Sequence, residues 1–317
     1  MRGQSPPGIG VPNQVRTTIL GPRESRWRNA VLARPVALFA LILATHFADA
    51  SPGGTDINGF VSIADGESFT VVRGDELRRG TRGVTLVAGD IVETGPDAFL
   101  VVELQGGSRI GIGPSSGVYF LSRAGVATLV ALKGWLKADI RADTKSGAIT
   151  VLGPRLGIQS QHAVVLLHAD ERLDALFDEQ GSGTLLLRDT AATHIDKETR
   201  PNQFFVRESR GDIVLQPHPS ADFLAGMPIA FRDTLPEQAS ARAKSPLEPQ
   251  QVRKVTYLDI QPWLTLPPDW RTGFITRFRN RLKDPAFFAA MDAHLSLHPE
   301  WRPILHPPKP SDGVSPR

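Results

Sequence analysis

The sequence predicts a mainly β protein, a twisted sandwich or a β-helix-like stack, followed by a small C-terminal helical module. Three observations carry this. From Gly59 to Ala169 short apolar runs alternate with Gly-containing turns, and no helical run there is long enough to cover a sheet. In Phe99–Leu104 and Arg109–Ile112 every second side chain can face a core. Beyond residue 251 the apolar period changes from two to about four.

The chain opens on a leader. Arg-bearing polar residues up to Asn29 precede the apolar run Val36–Ala44, and Ala48-Asp49-Ala50 forms an A-x-A site. This three-part order predicts a secretory signal peptide, residues 1–50, cleaved after Ala50. Nine unbroken apolar residues are too few for the ~20 a membrane span needs. The leader also explains the net charge of +3: it holds six arginines and two acids, leaving 30 basic and 31 acidic residues in the body. A neutral body offers no phosphate-binding surface, so nucleic acid is not an expected partner. With no Cys, the chain has no disulfide, no thiol nucleophile, no Cys-held metal and no site for lipoprotein acylation. The expected location is periplasmic or secreted.

Residues 51–58 read as a Gly-rich spacer and 59–234 as the all-β region. Strand-like runs are Phe60–Ile63, Ser68–Val72, Val84–Val87, Ile91–Thr94, Ala98–Leu104, Arg109–Ile112, Val118–Leu121 and Ala127–Leu132. They continue through Ala148–Leu152, Ala163–His168, Ala175–Phe177, Thr184–Leu187 and Phe204–Arg207. Gly-Asp, Thr-Gly-Pro-Asp and Gly-Gly-Ser mark turns between the earlier ones. Residues 235–251, rich in Pro, Ala and Gln, read as a linker. In 252–306 one helix is expected after Asp269, with Phe274, Phe278 and Leu282 on one face. A second follows the Asp284-Pro285 cap pair, with Phe287, Met291 and Leu295 aligned. Such short helices need another surface to bury against, and Trp263, Trp270 and Trp301 would supply the contact. Residues 307–317 read as a frayed tail.

Five motifs carry potential chemistry. Gly113-Pro114-Ser115-Ser116-Gly117 spells the G-x-S-x-G of hydrolase nucleophile elbows, which need a helix next, but Val118–Leu121 is a strand pattern. His294 and His298 have the spacing of helical zinc ligands, with Asp292 and Glu300 nearby; the general-base Glu of that motif is replaced by Leu295. His162 and His168 share a strand parity. Arg73-Gly74-Asp75 spells an integrin-type tripeptide, though a strand-closing turn explains it. Arg271, Arg277, Arg279, Arg281 and Lys283 could meet an anionic polymer or form a solvated helix face. None of these supports a catalytic, cofactor-binding or metal assignment, and no cofactor is expected.

The central segment resembles a known family. Arg79-Gly80, Gly83, Leu86–Asp90, Thr94-Gly95, Phe99–Leu104, Gly106–Ile110, Ile112–Pro114 and Leu132–Leu136 match the turn-and-strand pattern of the FecR domain. The resemblance covers roughly residues 59–169. It implies a periplasmic all-β domain, first associated with iron-dicitrate regulators. The signalling members carry a cytoplasmic anti-sigma region, a membrane span and a mixed C-terminal domain, and the flanks here match none of these. The expectation is a non-enzymatic exported module that binds an envelope protein or cell-envelope polymer. Two alternatives are a trans-envelope sigma-factor regulator with a retained N-terminal anchor, and an envelope serine hydrolase using Ser115 or Ser116.

Overall fold

In the computed structural model the described residues are 57–66, 69–123, 125–142, 147–188, 193–209, 211–237 and 247–307, all within one compact unit. The expected signal peptide and C-terminal tail lie outside them, apart from Pro307. The chain is mainly β with a small helical part at its C-terminal end.

The early strands are β1 (Gly59–Asp65), β2 (Phe69–Arg73), β3 (Glu76–Gly80), β4 (Thr85–Leu86) and β5 (Ile91–Glu93). Next come β6 (Phe99–Leu104), β7 (Arg109–Ile112), β8 (Gly117–Arg123), β9 (Val126–Arg141) and β10 (Ile149–Leu152). The last are β11 (Leu156–Ala169), β12 (Leu173–Arg188), β13 (Thr193–Glu198), β14 (Gln203–Glu208), β15 (Ile213–Gln216) and β16 (Gln250–Lys254). All sixteen belong to one sheet that folds over on itself.

Three long strands make the fold. The first half of β9 pairs with β8 and β10, its second half with β7 and β11. Its inward residues switch parity on the way, from Ala127, Leu129 and Ala131 to Leu136, Ala138 and Ile140. Gly134 sits at the switch with φ +83°, and a Cβ there would lie 2.6 Å from Ser116 Cα, so only glycine fits. In β11 the inward set changes from Leu156 and Ile158 to Ala163, Val165 and Leu167, across an irregularity between Gln159 and His162. In β12 it changes from Leu176 to Leu185, around Gly181 at φ +94°. Each strand thus serves both layers, and the layers enclose one mainly aliphatic core from Ile57 to Phe205.

Both outer faces are also apolar, and each has its own cover. On one, Val72, Ile91, Tyr119, Val130, Leu152 and Leu186 meet the C-terminal helices α2 (Tyr257–Leu264), α3 (Phe274–Phe278), α4 (Pro285–Ala293) and α5 (Arg302–Leu305). On the other, the cover is the short helix α1 (Ala221–Gly226), which precedes these four in the chain, and the segment that follows it. There Trp135, Leu166, Ala175 and Phe204 meet Phe223, Met227, Phe231 and Leu235. Lys137 is fully buried under this cover. Its ammonium donates to the carbonyls of Phe231 (2.8 Å) and Asp233 (3.0 Å) and pairs with Glu179 at 2.8 Å.

The boundaries differ from expectation in three places. The 59–234 region ends in the short helix rather than in strands. The expected linker is stitched down at both ends: Leu235 is buried, and Gln250 begins β16, which pairs with β3. Residues 238–246 of that linker lie outside the described residues. The helix expected after Asp269 begins only after Gly273 and ends at Phe278. The helices bury themselves against the β-region, with Trp263, Trp270 and Trp301 all in the shared core.

Candidate binding cleft

The sequence motifs resolve into structural parts. Ser116 is fully buried; its hydroxyl accepts from Trp135 N–H at 2.8 Å and faces the carbonyls of Pro114 (3.0 Å) and Trp135 (3.2 Å). Ser115, at φ +51°, forms the turn into β8. This pair stands before a strand, without the elbow's helix. Arg73-Gly74-Asp75 closes the β2–β3 hairpin. Arg73 forks onto Asp90 at 2.9 and 2.6 Å and also pairs with Glu248, while Asp75 pairs with Lys254 at 2.9 Å.

The two helix-end imidazoles do not converge on an ion. His294 stacks on Tyr257 at 5.0 Å and its Nδ1 bonds the Ala290 carbonyl oxygen at 2.9 Å. His298 is fully buried edge-on to the same ring at 6.0 Å, and burial pushes its pKa down. Asp292 pairs with His306 and Glu300 with Arg271. Among the described residues no three metal-ligating side chains come together.

The arginine cluster clamps the helices to the sheet. Arg277 donates to the carbonyls of Gly74, Gly89 and Val72, each at 2.6 Å. Arg281 bonds the Val255 carbonyl and Asp284, and Arg271 bonds the Leu264 carbonyl. Only Arg279 of these arginines is exposed. Arg277 thus spends three of its five N–H donors on backbone carbonyls.

The second outer face holds a cleft with an apolar lining. It has a volume of about 440 Å³, lies between the sheet and the 216–226 segment, and has an aromatic floor. Trp135 stacks on His168 at 4.3 Å and tilts against Phe223 at 4.9 Å, which in turn meets Phe204 at 4.8 Å. The floor follows from register. Trp135 opposes His168, His168 opposes Ala175, Ala175 opposes Val206, and Val206 opposes Val214, so one row of side chains crosses five strands. Ser220 starts the short helix by accepting from Phe223 N–H at 3.2 Å, which sets Phe223 over the row.

The rim is polar. Asp170, Arg172, Glu208, Gln216 and Asp222 surround the opening. Burial pushes the Asp170 carboxyl up, but hydrogen bonds from the N–H groups of Leu173 and Arg172 outweigh it and hold the pKa below the usual carboxylate range. Burial pushes the His168 pKa down, so the imidazole is neutral near pH 7. The arrangement suits binding: an apolar floor with convergent polar groups at its edge, in the size range of about 300–1,000 Å³ usual for ligand sites.

Comparison with known proteins adds little beyond this geometry. No family pattern matches the chain, and no curated protein does. Two solved structures of a putative anti-sigma factor from Parabacteroides distasonis match part of it. They are 11% and 10% identical, with TM-scores of 0.35 and 0.34, and each match covers 40% of this chain and 59% of that one. At that level the likeness assigns neither a family nor a role.

Of the residues singled out in the sequence, only His168 lies in the cleft. His162 sits six residues away on β11, exposed beside Ser160 and Ser182 at the strand's bend. The cleft's other parts carried weak signals: Ser220 followed by Phe223 and Met227 marks a capped turn of helix, and Ile213-Val214-Leu215 a short strand stopped by Pro217.

Proposed function

We propose that this protein is an exported recognition module of FecR-like type that holds part of an envelope partner, protein or polymer, in the cleft over Trp135, His168 and Phe204. The leader's charged, apolar and small-residue order supports export, and the turn-and-strand pattern of residues 59–169 supports the FecR-like reading. The observation that carries the binding role is the contrast between the two outer faces. One is covered by helices and carbonyl-bonded arginines, with a hollow of about 620 Å³ left at its margin beside Thr265–Pro267, while the other keeps an aromatic-floored opening.

The test is capture from envelope extract by the purified, immobilised protein. Wild type should retain a partner, and Val206→Arg, which fills the cleft with a charged side chain, should not. Arg279→Glu on the helix-covered side should behave as wild type. Capture that survives Val206→Arg would refute the assignment. N-terminal sequencing of the protein from a periplasmic fraction checks export, with Ser51 the expected first residue.

A further inference from the structure

The row that floors the cleft runs out to an open strand edge. Among the described residues β15 pairs only with β14. The opposite end of the sheet, β16, is guarded by the exposed Arg253 and Lys254, a common device against unwanted strand pairing. β15 has no such guard. Its four residues are uncharged, and Val214 and Leu215 are 53% and 47% exposed. Val214 is the last member of the row, and Gln216, on the same face, lines the cleft itself. A further strand laid beside β15, about 4.8 Å away, would aim every second side chain over this same face.

We propose that the β15 edge and the cleft together take an extended peptide of a partner protein by strand addition, with apolar residues facing the cleft and basic residues at its rim. This rests on the binding role proposed above. In such recognition main-chain hydrogen bonds supply affinity and pockets for alternate side chains supply selectivity. The charge of the occupant follows from the rim, where Asp170, Glu208 and Asp222 face a single basic side chain, Arg172, while His168 is neutral. A second copy of this chain suits the edge less well. Its own β15 carries no basic residue and is preceded by Asp212, which would add to the negative rim.

The probe is a fluorescein-labelled heptapeptide Val-Ser-Val-Ser-Lys-Ser-Lys, which carries its valines and lysines on one face, with the peptide bearing glutamate for lysine as its charge-reversed counterpart, read by anisotropy at low salt. The lysine peptide should bind the wild-type protein at least about ten-fold more tightly than the glutamate peptide. Leu215→Pro, which removes an N–H that the ladder alternation turns to the open edge, should weaken it by a similar factor; Val252→Pro, on the opposite edge strand, should not. Urea unfolding of both variants confirms that they fold, and Leu215→Lys replaces Leu215→Pro if it does not. Equal binding of the two peptides, no binding at about 1 mM, or equal sensitivity to Leu215→Pro and Val252→Pro would overturn the proposal. So would a dimer of the protein alone that Leu215→Pro dissociates, since a second copy would then own the edge. Envelope capture that depends on Val206 but not on Leu215 would leave the binding cleft standing and remove strand addition alone.

Discussion

The two outer faces of the sandwich start from similar material and end differently. Each is a patch of large apolar side chains on the back of a layer whose front lies in the central core. The helical module covers the first patch with Trp263, Trp301, Phe274 and Phe278, all fully or almost fully buried, and pins its margin with Arg277. The second patch receives only a six-residue helix and a strap held by Lys137. A short cover cannot close the whole face, and the uncovered part is the cleft. The difference teaches how cover length sets the surface: the heavily packed cover fills its face with aromatic side chains, and the light one leaves a cleft open.

The largest expected effect is on the helix-covered face. Trp263 fills the space against Tyr119 and donates its indole N–H to Glu93 at 3.1 Å. Trp263→Ala should lower stability by about 3–5 kcal/mol, measured by urea unfolding. A loss under ~1 kcal/mol would mean that the helices are not part of the fold's stability. Next is Arg277→Met, which strips the donor from three carbonyls at once and should cost about 2–4 kcal/mol. If it costs nothing, the clamp is not what holds this cover.

Between the two covers, a pH-dependent effect comes from Asp178, at the bend of β12. Its carboxylate is fully buried and accepts from the Thr199 hydroxyl at 2.6 Å. Burial, only partly offset by that bond, pushes the pKa from 3.8 to about 6. The folded state therefore holds a proton that the unfolded state gives up between pH ~4 and ~6. Stability from this group is present below pH ~4 and is lost as pH rises through ~6. Asp178→Asn should remove that slope and stabilise the protein at pH 8 by about 1–3 kcal/mol. A variant with an unchanged pH profile would show that Asp178 is ionised without penalty.

The smallest effects concern the serine pair. Ser116→Ala leaves the Trp135 N–H without its acceptor and should cost about 1–2 kcal/mol. Ser115→Gly relieves a left-handed backbone and should gain about 0.5–1 kcal/mol. Loss of a hydrolytic activity in either variant would contradict the structural role given to this turn.

Much of the β-region was legible because its hairpins obey local rules. β5 to β8 lie close to where alternation and Gly-containing turns put them, since each is short and bounded by turns. The long strands were legible only in part. β9 was visible to Leu132 and β12 appeared as two runs, because each switches its inward parity midway and breaks the alternation that marks a strand. Three polar strands carry little apolar signal: Glu76–Gly80, Thr193–Glu198 and Gln250–Lys254. The cleft was not legible. Its floor is a row of residues from five strands, spread from Trp135 to Val214, and only the register of the sheet brings them together.

The most direct test of the contrast between the faces is photo-crosslinking in cells. p-Benzoylphenylalanine would replace Gln216 on the cleft rim in one strain and Arg279 on the helix-covered side in another. The account predicts a discrete crosslinked species from position 216 and none from position 279. Crosslinking from 279 alone would place the partner on the helical face and contradict it.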